Sequence, residues 1–405
     1  MQEENIKTLT FGCRLNALES EKIKNMLKPH IDCAIVVNTC AVTGEAERQS
    51  AQAVRKIARE NPNVVIFITG CAATRNPELF KSINNAVVIP NSKKTNLETY
   101  ITKYSSISTP KIEKFVGTSE HLSKKFIQVQ NGCNHKCAYC VTRLLRGPAI
   151  SFDYNEILQN AKNAVQNGFY EIVLTGVDIA SYAKQDGDKF IFISDICKKL
   201  LKDVPEIKHL RLSSMDPASP ELYKIIDLIH TDSRMMPHLH LSMQSGSNTI
   251  LSSMGRRHSA DTVRKLVQYA TEITFSWDII CGFPGETEEL FNETMELVQE
   301  IKPIKIHAFP FSPRPNTVAA TMPNQIDRAT SKKRVKIITD LATENLKNYM
   351  TMQTGKTVSV LVENNNTGRT PDDIPVKITG KQIKPKTICD VKLTDITDSI
   401  FVGQV

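Results

Sequence analysis

Along the first hundred residues, short apolar runs alternate with stretches whose apolar positions recur every three or four residues. TLTF (8–11), AIVV (34–37), NVVIFIT (63–69) and AVVIP (86–90) read as strands. Between them, residues 14–28 set Leu15, Leu18, Ile23, Met26 and Leu27 at helical spacing, and the Ala- and Arg-rich stretch 45–60 predicts a second helix. Strands alternating with helices predict βαβ units, hence an α/β fold with an N-terminal parallel-sheet domain over residues 1–105. The Ser/Thr-rich stretch YSSISTPKIEKFVGT (104–118) predicts a linker.

Six further strand-like runs follow: KFIQVQ (125–130), EIVLTG (171–176), HLRLSSM (209–215), PHLHLSM (237–243), ITFSWDIICG (273–282) and IKIHAFPF (304–311). Each precedes a helical pattern. Six such units predict a central partial (β/α)6 barrel over residues 119–350, with its chemistry at the carboxyl ends of the strands. After a charged helical stretch (325–350) the texture changes. TVSVLVE, IPVKIT, TICDVKL and SIFVGQV, separated by turns such as NNNTG and PDD, predict a small antiparallel β-barrel over residues 351–405.

Composition narrows the class without naming it. The 405 residues are 40% apolar and 23% charged, ordinary for a globular chain. The N-terminus MQEENIKTLTF is polar and acidic, unlike a secretory signal, and no apolar run reaches the roughly 18 residues a membrane helix needs. A cytoplasmic protein is expected, in whose reducing surroundings the ten cysteines serve as metal ligands or buried thiols. The net charge of +8 permits a nucleic-acid partner but is spread thinly, at +4 over residues 1–110, +3 over 111–350 and +1 over 351–405. The densest basic run, Arg328 to Lys336, reads as a solvated helix face.

Cysteine spacing carries the chemistry. Within NGCNHKCAYCVTRLLRG (131–147), Cys133, Cys137 and Cys140 form C-x3-C-x2-C with Tyr139 before the last thiol. Soft thiolates at this density select zinc or an iron–sulfur cluster. Structural zinc wants a fourth ligand, yet His135 lies inside the loop and the next cysteine, Cys197, is 57 residues on. A 4Fe–4S cube on three thiolates leaves one iron open to a small molecule. The spacing resembles the signature of the radical S-adenosylmethionine (SAM) enzymes, which implies SAM bound at that iron and cleaved to a 5′-deoxyadenosyl radical.

A second triplet is less conspicuous. Cys13, Cys40 and Cys71 each stand after a strand, in TLTFGC, AIVVNTC and IFITGC. The carboxyl ends of neighbouring parallel strands line one edge, where open α/β folds hold ligands, so these three thiols are expected to converge. The alternative is three buried structural cysteines. Cys33, Cys197 and Cys389 lie in apolar surroundings without partner spacing, and Cys281 is expected in the core.

Two three-cysteine sites, one on a parallel-sheet domain and one on a barrel, with a terminal β module, resemble the methylthiotransferases. Those radical SAM enzymes insert a methylthio group into a C–H bond. GCRLNALESE around Cys13 resembles the MtaB-type branch, which acts on threonylcarbamoyladenosine beside the tRNA anticodon. LTGVDIASY (174–182), RLSSMDP (211–217), HLHLSMQSGSNTIL (238–251), DIICGFPGE (278–286) and HAFPFSPRPNT (307–317) agree with it. Residues 351–405 look like a TRAM domain, an RNA-binding barrel. One departure is Val-Thr-Arg-Leu-Leu (141–145), where the family commonly has Ile-Pro before Arg-Gly. The resemblance implies two 4Fe–4S clusters, SAM as radical source and methyl donor, the tRNA anticodon loop as partner, and a separate electron donor and sulfur source. It places the radical cluster on Cys133, Cys137 and Cys140 and the sulfur-supplying one on Cys13, Cys40 and Cys71.

Weaker pointers toward SAM are Tyr139, beside the last cluster cysteine, and Gly176, Asp178, Asp216 and Gln244, which follow barrel strands. Gly176 permits a close backbone approach; the polar three equally suit turns or caps. Arg146, Arg256 and Arg257 are candidates for RNA phosphate or a base-linked carboxylate. His238 and His240 share one strand face by period two. The competing readings are methylthiolation of isopentenyladenosine or of a ribosomal protein, a barrel enzyme with one cluster, and a non-catalytic Fe–S or zinc protein that binds RNA.

Overall fold

A computed structural model describes residues 5–104, 112 and 123–405, so most of the expected linker lies outside the described residues. The chain forms two compact units. The first comprises Met1–Glu120, Gly132–Asn134 and Cys140–Pro148; the second comprises His121–Asn131, His135–Tyr139 and Ala149–Val405.

In the first unit the elements run β1 (Ile6–Thr10), α1 (Arg14–Leu27), β2 (Ala34–Thr39), α2 (Gly44–Glu60), β3 (Ile66–Gly70), α3 (Cys71–Arg75), β4 (Ala86–Val88) and α4 (Leu97–Tyr104); its outlying segment adds α5 (Thr142–Arg146). The sheet is parallel throughout, in the order β1-β2-β3-β4. Alternation along β2 explains why it forms. Ala34 and Val36 pack with Ile23, Leu27 and Tyr100 on one side, while Ile35 and Val37 pack with Ala51, Val54 and Ile57 on the other. A strand covered on both faces reads as a continuous apolar run, as AIVV does. Thr43 starts α2, its hydroxyl accepting from the Ala46 N–H at 3.1 Å, and Glu45 and Glu47 in the first turn suit the helix dipole.

The second unit opens with β5 (Lys125–Gln128), β6 (Gln130–Asn131), β7 (Ile150–Ser151), α6 (Tyr154–Gln166) and β8 (Glu171–Thr175). It continues through β9 (Ala183–Asp186), β10 (Lys189–Phe192), α7 (Ile193–Asp203), β11 (His209–Leu212), α8 (Glu221–Thr231), β12 (His238–Gln244), α9 (Asn248–Ser253) and α10 (Ala260–Tyr269). Then come β13 (Thr274–Cys281), α11 (Glu288–Ile301), β14 (Lys305–Pro310) and the long α12 (Arg328–Gln353). Strands β5, β8 and β11 form one parallel sheet and β12, β13 and β14 another. Parallel bridges Leu210–Met235 and Met215–Leu241 join them into one arc of six strands. Leu239, Leu241, Trp277, Ile279 and Ile306 pack into the helix-covered core, so the alternate positions His238, His240, Asp278 and His307 occupy the concave face. The β9–β10 hairpin stands between β8 and the helix that follows it. Its two-residue turn, Gly187-Asp188, places Gly187 at φ +61° in the first central position, where a tight hairpin turn takes glycine.

The chain ends in a closed barrel of β15 (Thr357–Val362), β16 (Thr367–Arg369), β17 (Pro375–Thr379), β18 (Ile388–Thr397) and β19 (Ile400–Gln404), ordered β15-β16-β17-β19-β18. The expected antiparallel pairing holds except between β17 and β19, which run parallel. Five strands cannot alternate in direction all the way round a closed ring, so one parallel pair is unavoidable.

This small barrel is fastened at the amino ends of the central strands. Glu171, fully buried at the start of β8, accepts from Arg211 Nε at 2.9 Å and contacts His209 Nδ1 at 2.9 Å. Arg211 then donates to the carbonyls of Thr370 at 2.9 Å and Pro371 at 2.5 Å, while Thr274 Oγ1 donates to Asp372 at 3.0 Å. Burial would raise the Glu171 pKa, but Arg211, His209 and Lys124 outweigh it and pull it down to about 2.

Candidate active site

In the first unit, Cys13 follows β1 as the N-cap of α1, Cys40 directly follows β2, and Cys71 directly follows β3. The three thiols therefore stand at the carboxyl ends of three adjacent parallel strands, as the strand-then-cysteine pattern predicts. Cys13 is exposed; Cys40 and Cys71 are buried. Two glycines make the approach possible. Gly12 sits at φ +90°, and a Cβ there would lie 2.6 Å from Cys40 Sγ. Gly70, at φ +95°, would put its Cβ 2.3 Å from the Thr39 carbonyl. Only glycine combines that backbone angle with that clearance.

Polar residues one turn into α1 tie the strand ends together. Asn16 Nδ2 donates to the carbonyls of Phe11 at 2.8 Å and Thr39 at 3.2 Å. Glu19 is almost wholly buried and meets two cations, Lys94 Nζ at 2.5 Å and Arg146 Nη1 at 2.8 Å. Arg146 Nη2 also donates to Asn16 Oδ1 at 2.6 Å. Arg146 is therefore a buried structural cation, not a free contact for RNA. Burial opposes its charge, but Glu19 and the fields of Cys71 and Cys13 hold its pKa above the ordinary value. Asn16, Glu19 and Lys94 went unnoticed in the sequence, although polar positions at i and i+3 on the inner face of an amphipathic helix were the available signal.

The donor set fits a soft metal centre. Burial pushes the Cys40 thiol up to about 11, the neighbouring Cys71 and Cys13 push it the same way, and Arg146 works against them. A metal must displace that proton to bind. The Arg146 cation lies where the negative charge of three thiolates would accumulate.

Of the C-x3-C-x2-C cysteines, Cys133 and Cys140 belong to the first unit and Cys137 to the second. Gly132, at φ +68°, has no room for a Cβ, which would fall 1.9 Å from the Pro148 carbonyl. The Cys133 N–H donates to the Gly147 carbonyl at 3.1 Å. The departing residues 141–145 build most of α5. There Leu145 packs with Ala41, Cys71 and Ala72, and its carbonyl accepts from Asn91 Nδ2 at 3.1 Å.

In the second unit, Arg256 Nη1 approaches Cys137 Sγ at 3.5 Å, while its Nη2 donates to the Ser242 carbonyl at 2.9 Å and contacts Asp216 at 3.3 Å. Arg257 pairs with the same Asp216 at 2.9 Å. Burial alone would raise the Asp216 pKa; His258 and the two arginines hold it far below the carboxylate range. Asp178 meets His135 Nε2 at 2.8 Å and accepts from Ser181 Oγ at 2.6 Å. Two of the three arginine candidates for RNA phosphate or a base-linked carboxylate thus contact Asp216 beside the barrel mouth, and His135, which lies inside the loop, partners Asp178.

Gly176, Asp178, Asp216 and Gln244 all lie at or just beyond the carboxyl ends of β8, β11 and β12. A Cβ on Gly176 would meet the Gln130 carbonyl at 2.7 Å, so its nearest constraint is its own chain. Gln244 is buried at φ +70°, a strained setting for a non-glycine residue and one that clusters at functional sites. Tyr139 packs with Ala138, Met254 and Phe283. Cys33, Cys197 and Cys281 are buried, as expected; Cys389 is half-buried.

Residues 127–298 match the family described as the Radical SAM superfamily, and residues 5–90 the one described as Uncharacterized protein family UPF0004. The "Threonylcarbamoyladenosine tRNA methylthiotransferase MtaB" of Rickettsia prowazekii (strain Madrid E) is 39% identical, over 91% of this chain and 90% of that protein. The protein of the same name from Chlamydia pneumoniae is 32% identical over 98% and 97% of the two chains. A "tRNA-2-methylthio-N(6)-dimethylallyladenosine synthase" from Pelagibacter ubique (strain HTCC1062) is 30% identical over 88% and 86%. Among solved structures, the radical SAM methyltransferase TsrM from Kitasatospora setae superposes with a TM-score of 0.57 at 13% identity, over 78% of this chain and 77% of that one, which is a likeness of fold. A cysteine triplet at three strand ends, a C-x3-C-x2-C loop, a central six-stranded parallel arc and these relatives together make the chain a member of the radical SAM methylthiotransferase family, in its MtaB-type branch.

Proposed function

We propose that the protein inserts a methylthio group at C2 of N6-threonylcarbamoyladenosine, at position 37 in the anticodon loop of tRNA. Two 4Fe–4S clusters and SAM are its cofactors. The observation that carries the reading is Cys13, Cys40 and Cys71 at adjacent strand ends beside the buried Arg146, in a chain 39% identical to a threonylcarbamoyladenosine tRNA methylthiotransferase. We assign residues 1–105 to the sulfur-supplying domain, 119–350 to the radical SAM domain and 351–405 to the TRAM-like RNA-binding module; the matches over 5–90 and 127–298 support the first two.

An adenine C2–H is not acidic, so acid–base catalysis alone has little to act on. When bound, the group on Cys133, Cys137 and Cys140 supplies reductive cleavage of SAM to a carbon radical, and the group on Cys13, Cys40 and Cys71 supplies sulfur. The chain itself orients and screens. Arg256 holds the Cys137 side of the loop against β12, and Asp216, ionised among its arginines, offers a fixed acceptor. Tyr139, Gly176, Asp178, Asp216 and Gln244 are assigned to the SAM pocket. The +1 charge of residues 351–405 means that RNA is held there through polar, backbone and stacking contacts more than bulk charge. An electron donor and a sulfur source complete the system, and the protein acts in the cytoplasm. Among the described residues no helix is long and apolar enough to cross a membrane.

Mass spectrometry of tRNA nucleosides, from a bacterial host lacking its own methylthiotransferases, tests the reading with and without this gene. The expected product is 2-methylthio-threonylcarbamoyladenosine. The relative named as a tRNA-2-methylthio-N(6)-dimethylallyladenosine synthase supports a second outcome: the methylthio-isopentenyl nucleoside alone would move the chain to that substrate. Neither product, from protein carrying both clusters, would overturn adenosine 37 as the target.

A further inference from the structure

The concave face of the central strands holds a cluster that the methylthiotransferase reading does not use. We infer that His240, Asp278 and His307 form a divalent-metal site of the two-histidine, one-carboxylate type. The ligand class is zinc or ferrous iron, because imidazole nitrogen with a carboxylate oxygen suits borderline metals, whereas the two cysteine triplets are softer.

Three observations support it. The first is distance. His240 Nε2 lies 3.0 Å from Asp278 Oδ2, and His307 Nδ1 lies 3.6 Å from Asp278 Oδ1; one donor atom from each residue falls within 4.8 Å of the others. Ligands about 2.1 Å from one ion stand roughly 3.0 to 3.4 Å apart for angles between octahedral and tetrahedral, and the two histidine–carboxylate separations lie at and near that range.

The second is rigidity. The residues sit on three adjacent parallel strands in fixed register: Asp278 is the direct partner of His307, and His240 the partner of Ser276. Their strand neighbours Leu241, Trp277, Ile279 and Ile306 are locked into the core on the opposite face.

The third is tautomer control. His240 Nδ1 stands 2.7 Å from Ser276 Oγ, which directs Nε2 toward Asp278. A ligating histidine ordinarily has its second nitrogen held in this way. Two neutral imidazoles and one carboxylate carry one negative charge, complementary to a divalent cation. The side chains are only partly covered, at 19%, 27% and 41% exposure for His240, Asp278 and His307, so an ion can enter and keep positions open for oxygen ligands such as water or a carboxylate.

The test uses the full chain with its clusters loaded, handled anaerobically, stripped of loose metal with a chelator, and titrated with Zn2+ alone. Elemental analysis after desalting should find one zinc per chain beyond the iron. Asp278→Asn and His307→Ala should each lose that zinc, with iron, sulfide and melting temperature unchanged. Ser276→Ala should weaken zinc binding by about 10- to 100-fold. Zinc retained equally by both ligand variants, or none taken up by the unaltered chain, would overturn the site. Either result leaves the nucleoside assay untouched, so this inference and the methylthiotransferase reading fail separately.

Discussion

At the scale of single residues, the first triplet depends on neighbours that are not ligands. Gly12 and Gly70 clear the space, and Asn16 pins β1 to β2. Glu19 neutralises two buried cations at once, with its own side chain 3% exposed and those of Lys94 and Arg146 at 5% and 4%. Burial would raise its pKa, but Lys94 and Arg146 hold it below the carboxylate norm. Removing one partner of a buried ion pair costs about 3–5 kcal/mol, because the remaining charge is left unpaired in low dielectric. Glu19→Ala is accordingly expected to lower the melting temperature by many degrees, and Glu19→Asp by less. A calorimetric scan showing no change would mean that the two cations find water or another acceptor.

At the scale of elements, Glu171 joins β8, β11 and the turn at 370–373, and its titration has a definite sign. Its pKa is lowered from 4.5 to about 2 in the folded chain. The folded state therefore binds its proton later than the unfolded state. This contribution is fully present above about pH 4.5 and is lost as pH falls toward 2, on the order of 3 kcal/mol for a buried group. Glu171→Gln should be less stable than the parent at pH 7, with the gap narrowing between pH 4.5 and 2. Urea denaturation at a series of pH values would show this, and a gap that stays constant would mean that Arg211 and His209 do not depend on the charge. The same network explains why the last β module follows the central strands as one unit. Its anchoring turn at the amino ends leaves the carboxyl ends to the chemistry.

At the scale of the whole molecule, the two triplets are separable by design. Changing Cys13, Cys40 and Cys71 together to Ala should reduce iron by about half while SAM cleavage survives and the methylthio nucleoside disappears. Changing Cys133, Cys137 and Cys140 should abolish SAM cleavage and spare the other half of the iron. Iron and sulfide analysis with a 5′-deoxyadenosine assay reads both. Full iron after the first change would mean that those cysteines hold no metal.

The sequence by itself determined the strands, the helices between them and both cysteine triplets. Apolar period, turn residues and cysteine spacing are local properties, and a thiol directly after a strand is placed by the parallel sheet that the strand must join. AIVV declared a strand covered on both faces, and C-x3-C-x2-C declared three thiols gathered in one short loop. Only the tertiary structure decided what Arg146, Arg256 and Arg257 do. A charged side chain reads the same in sequence whether it faces solvent or a buried carboxylate 127 residues away, as with Arg146 and Glu19. The inward histidines follow the same logic: period two assigned His238 and His240 to one face, but the register of β12, β13 and β14 brought Asp278 and His307 to His240. Pairing across strands is a long-range choice, made by the whole core rather than by any one segment.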